Sequence, residues 1–268
     1  MGPAVAGILI GVAVTTAAPG HSSLSGIYIN LPEYQLWRSV MVAQITVYIS
    51  IASYLWAAKR EVEFERIGLR DTIINAGVTI LVIAVPNLLV RQVSFPLYGQ
   101  RIRMLFVIAT AAFAIVAVTH YMARIFLTFG KVADVDQYMG LHRSSRDLLM
   151  VAALVVTLGT IGAGALERSL AATAEASEAY ISHLTTGHVL SYGIYFTVVL
   201  TVFFTPLLLA ERRAAFRISQ RAALIEMPDA RVDFEERLSI QKSFAEQVVS
   251  AFGVLSPLIG VLITRLLG

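Results

Sequence analysis

The 268-residue chain is 57% hydrophobic and only 15% charged, with a mean hydropathy of +0.72; soluble globular domains carry about a quarter of charged residues, so that class is excluded. Its formal charge of +3 and pI near 9.3 follow from arginine-bearing connections between apolar blocks, and no duplex nucleic acid partner is expected. The absence of cysteine rules out disulfides, thiol catalysis, iron–sulfur clusters and thiolate zinc sites, and five histidines without an HExxH cluster point to no metal and no cofactor.

Apolar blocks with short connections predict an all-α polytopic integral membrane protein of about six to seven transmembrane helices, assembled as a symmetric homo-oligomer. The first block, Pro3 to Ala18, is short and rich in glycine and alanine. Its "TTAA" resembles a signal-peptide cleavage region, but no lysine or arginine precedes the apolar stretch. A retained helix or re-entrant segment is the favoured reading. Tyr28, Tyr34 and Trp37 follow, the aromatic type of a membrane–water interface. Residues 1–38 thus form an apolar segment and an extracytoplasmic aromatic loop.

A transmembrane core is expected over 39–210, with spans at Ser39–Ala57, Thr72–Val90, Met104–Thr119 plus a helical extension, Leu148–Leu166 and His188–Ala210. Each is near the roughly 20 residues that a bilayer requires. A basic cytoplasmic extension and turn occupy 211–230, where "MPDA" at 227–230 breaks the helix. Residues 231–268 form the last unit, with a terminal helix over Ser243–Thr264.

Lys59, Arg60, Arg66 and Arg70 lie in one connection. Arg124, Lys131, Arg143 and Arg146 lie in another, and Arg212 to Lys242 in a third. These connections alternate, which puts all three in the cytoplasm, in a membrane read as the bacterial inner membrane. Glu167, Glu175 and Glu178 mark an outer connection, whereas Arg91, Arg101 and Arg103 run against the trend. The N-terminus is cytoplasmic if the first block spans.

No acidic or basic residue lies deep inside the long spans, which disfavours proton- or sodium-coupled transport. No catalytic constellation is present, so the chain is not read as an enzyme. His120 and Arg124, one turn apart, read as an interfacial pair with a snorkelling arginine. Gln44, Asn75 and Asn87 are the candidates for lining water, because an amide facing lipid is costly. Most other small and polar faces read as helix packing. Gly193, Thr197, Thr201 and Thr205 recur every four residues before Pro206, a row that drifts by about 40° per step around a 3.6-residue helix.

Two features carry the functional reading. Arg213, Arg217 and Arg221 form a stripe one turn apart, suited to anionic lipid or to a nucleotide or other phosphorylated ligand. Further on, Glu236, Ser239, Ser243, Glu246, Ser250, Gly253, Pro257, Gly260 and Thr264 recur at alternating steps of three and four. That spacing keeps a stripe facing a partner axis, and in lipid it fits close packing or a water-filled axis. Glu246 and the serines favour water. The leading expectation is an oligomeric ion channel or pore built on the terminal helix, gated by an anionic ligand at the basic stripe. The layout is analogous to a nucleotide-gated effector of bacterial antiviral defence. A membrane scaffold subunit and a small-solute facilitator are the alternatives.

Overall fold

A computed structural model describes residues 2–16, 31–57, 68–70, 72–80, 98–176 and 187–224, with 259, 261 and 262. The described residues are helical with short connections and contain no strand. The principal helices are α1 (Pro3–Thr16), α2 (Pro32–Ala57), α3 (Tyr98–Lys131), α4 (Val135–Ala176) and α5 (Gly187–Leu224). Residues 72–80 form a further helical stretch. Four segments, Pro32–Trp56, Arg103–Lys131, Val135–Ala172 and Val189–Gln220, are long and apolar enough to cross a membrane. The terminal helix and the 227–230 turn lie outside the described residues, apart from helical Ile259, Val261 and Leu262.

The helices exceed the expected spans because helical propensity continues past the apolar blocks. The 42 residues of α4 extend about 63 Å at 1.5 Å per residue, roughly twice a hydrocarbon core. Its polar first third, with Asp136, His142, Arg143, Arg146 and Asp147, accounts for the surplus. The 14 residues of α1 reach only about 21 Å, short of a bilayer core by themselves.

Helix α2 is central. It packs on α1, α3 and α4, while α5 packs on α3 and α4. Its buried residues Tyr34, Trp37, Met41, Gln44, Tyr48, Ile51 and Leu55 alternate in steps of three and four, as knobs do in left-handed helix packing. On its other side, Gly7 and Gly11 of α1 lie directly on the backbone of Thr46 and Val42. A Cβ at Gly7 would stand 2.8 Å from the Thr46 Cα, and one at Gly11 would stand 3.2 Å from the Val42 Cα. This is the close approach that glycines four residues apart permit.

Of the aromatic residues read as interfacial, Tyr28 lies outside the described residues, and the other two turn inward onto neighbouring helices. Tyr34 and Trp37 are each 1% exposed and belong to the core. The Arg103 guanidinium donates to the Tyr34 hydroxyl and lies 5.9 Å from its ring centroid. This arginine, 4% exposed, is therefore held by a phenol and a π face. At the other end Trp56 stacks on His120, with ring centroids 5.3 Å apart.

Candidate functional site

Helices α3, α4 and α5 meet at the end that carries Arg124, Lys131, Arg143, Arg146, Arg212, Arg213 and Arg217. The corner between α3 and α4 is tight. The Asp134 carboxylate accepts the Gln137 amide at 2.7 Å and caps the start of α4. One turn on, Tyr138 stacks on His142 and tilts against Phe129. The His142 Nδ1 lies 2.6 Å from Glu211 Oε1, joining α4 to α5.

Glu211 faces inward because it shares the buried stripe of α5, between Leu207 and Ala214. The arginines beside it point elsewhere. Arg217 donates to the Phe129 carbonyl at 2.5 Å and to the Gly130 carbonyl at 2.8 Å. It thereby closes the C-terminus of α3, whose last carbonyls lack helical donors and carry partial negative charge. Of the predicted stripe, Arg217 is thus occupied by backbone. Arg213 is exposed, and the side chain of Arg221 lies outside the described residues.

Between the end of α3 and the second half of α5 lies an open groove of about 790 Å³. Phe126, Pro206, Leu209 and Phe216 give it apolar walls, and Arg212, Arg213 and Arg217 stand at its basic end. Arg212 and Arg213 are exposed, and no acceptor for either is found among the described residues. Arg212 was not part of the predicted stripe. Its signal was available, since Leu209, Arg212, Arg213 and Phe216 follow one another at helical spacings that place arginine beside apolar side chains on one face.

Other candidates are placed differently. Gln44 is 3% exposed; its amide donates to the Leu158 carbonyl at 2.8 Å and to the Tyr48 hydroxyl at 3.4 Å. Tyr48 in turn donates to the Val155 carbonyl at 3.1 Å. This water-lining candidate is a hydrogen-bonded tie between α2 and α4. Thr79, one turn after Asn75, meets Thr119 at 2.8 Å, so its hydroxyl ties residues 72–80 to α3. The row before Pro206 turns from buried Gly193 to exposed Thr201 and Thr205, as its drift requires, and each threonine hydroxyl donates to the carbonyl four residues earlier. Asn87 and all nine positions of the terminal seam, Glu236 to Thr264, lie outside the described residues.

Among the described residues no three of His, Asp and Glu come together to hold a metal. No protein-family model, curated protein or solved structure matches the chain.

Loss of the Arg217 clamp has a local consequence. For Arg217→Gln we expect amide exchange in the last turn of α3 to quicken about five- to tenfold, because two charge-assisted bonds to partly solvated carbonyls are lost. Exchange mass spectrometry over Phe126–Lys131 reads this directly. Unchanged exchange would mean that the contact holds nothing.

Proposed function

We propose that the chain is a subunit of an oligomeric membrane ion channel or pore, with residues 231–268 around the axis and an anionic ligand acting at the basic end. The observation that carries the reading is the terminal seam, in which nine small or polar side chains recur at alternating steps of three and four. One such seam cannot enclose water, whereas symmetry-related copies can. The interior of the described helices supports the reading by elimination. Its amide and phenol at Gln44 and Tyr48 are spent on α4 carbonyls, which favours a route between subunits over one inside a single chain. The groove lies on α5, the last helix before the terminal segment in the chain, so a ligand there sits next in sequence to the residues it would act on. By the lysine and arginine bias of cytoplasmic loops, the basic end faces the cytoplasm of a bacterial inner membrane.

The chain contains no cysteine, which makes the test clean. Cysteines at Ser250, Gly253 and Gly260 should react with a small water-soluble thiol reagent and block current in planar bilayers. Cysteines at Val249 and Leu262, off the seam, should react slowly. Glu246→Gln should lower cation preference without preventing assembly, since a carboxylate ring supplies charge at a wet mouth. Absence of reaction at every seam position in an assembled protein would mean a dry interface, and the scaffold reading would replace the pore.

A further inference from the structure

We propose that the groove between α3 and α5 seats an anionic glycerophospholipid, with its phosphate at Arg212 and Arg213 and an acyl chain along Phe126, Leu209 and Pro206. The α5 wall of the groove is apolar from Pro206 to Ala210 and basic from Arg212 to Arg217 except at Phe216. Its basic end presents two exposed guanidiniums without an acceptor among the described residues, while the nearby carboxylate of Glu211 is engaged by His142. Its remaining walls are hydrocarbon, aromatic rings and a proline. From Arg213 back to Pro206 the helix rises about 10 Å, comparable to the step from a headgroup into the acyl region. Arginine forks fit phosphate oxygens, and a lipid chain covers apolar wall that a free nucleotide would leave wet.

Arg217 shapes the site without being free to bind. Its two bonds to the Phe129 and Gly130 carbonyls hold the α3 terminus against α5. Gly130 contributes an open wall, since a Cβ there would meet nothing within 4 Å. The inference rests on the ligand-gated part of the function proposed above. Its test reads binding, not conductance, so a failed lipid site and a failed pore are distinguishable.

The full chain is reconstituted in nanodiscs of phosphatidylcholine containing 10% phosphatidylglycerol with matched acyl chains, and the composition of lipid retained after detergent extraction is measured by native mass spectrometry. Wild-type protein should retain phosphatidylglycerol preferentially. The double variant Arg212→Gln/Arg213→Gln should lose about thirtyfold of that preference, since each of the two basic residues near an anionic surface contributes on the order of 1 kcal/mol, or about fivefold. Arg143→Gln, at an exposed arginine of the same end but outside the groove, should keep the preference within about twofold. Phe126→Ala, on the apolar wall, should reduce retention of both lipids. Glycerol 3-phosphate, which has the anion without the chains, should fail to compete at millimolar concentration.

Equal retention of the two lipids by wild type would overturn the proposal. So would an undiminished preference in the double variant, or an equal loss in Arg143→Gln, which would indicate diffuse attraction. Full competition by glycerol 3-phosphate would assign the groove to a soluble phosphate and overturn the lipid. Circular dichroism and gel filtration confirm that each variant is folded.

Discussion

Gly7→Leu is expected to lift α1 away from α2 while the other helices stay together. A Cβ at this position would stand 2.8 Å from the Thr46 Cα and 3.2 Å from its carbonyl oxygen. Both neighbours are backbone, so no rotamer relieves the clash and the helix axes must separate. In lipid the loss is hard to recover, because there is no hydrophobic drive between helices and close van der Waals contact is the main attraction. A single cysteine at Thr46 reports the separation. In the parent its reaction with a maleimide in detergent should be slow, since α1 covers the site, and Gly7→Leu should raise the rate about tenfold or more. Gly77→Leu is the control, because a Cβ at Gly77 meets nothing within 4 Å. Equal rates in parent and Gly7→Leu would show that α1 does not depend on this contact.

The second large effect lies at Gly162. A Cβ there would fall 2.2 Å from Gln44 Nε2 and 2.6 Å from its Cδ and Oε1. The glutamine end would have to move, leaving the Leu158 carbonyl and the Tyr48 hydroxyl. A buried amide without partners costs about 1–3 kcal/mol, and overpacking adds about 1–3 kcal/mol, so Gly162→Leu should destabilise by roughly 3 kcal/mol or more. Gln44→Ala alone should cost less, because interhelical hydrogen bonds in membranes contribute about 0.6 kcal/mol on average. The two changes should also compensate. Leucine at 162 would fill the space vacated at 44, giving a coupling of about 2 kcal/mol in a double-mutant cycle. Thermal unfolding of the four proteins in one detergent measures it. Strict additivity would mean that Gln44 already has another place to go.

The same packing bears on how a three-and-four seam is understood. In α2 the series Tyr34, Trp37, Met41, Gln44, Tyr48, Ile51 and Leu55 has the terminal seam's period, and it is a packed interface. Period alone therefore marks a face that meets partners. Chemistry separates the two series: the α2 series is mostly large and apolar, whereas the terminal one has two glutamates, three serines and two glycines. Side chains of that size leave room along an axis, and a carboxylate seeks water or a cation. The pore proposal stands on that difference.

Hydropathy alone determined that this protein is helical and apolar enough for membrane spans, because a window of some 20 apolar residues has few other solutions. Sequence likewise predicted the clustering of arginines, which the antiparallel contacts of α3, α4 and α5 bring to one end. Sequence could not decide which polar side chains face one another, since that depends on the rotation and depth of each helix against its neighbours. Gln44 reads as a water-lining amide until the Leu158 carbonyl is seen 2.8 Å away. Arg217 reads as a ligand for anions until its guanidinium is found on the last carbonyls of α3. Gly7 and Gly11 carried a legible spacing, but only packing identified Thr46 and Val42 as the backbone they admit. The local signals are set by transfer from water to lipid, and the pairings by contacts among residues as much as 114 positions apart in the chain.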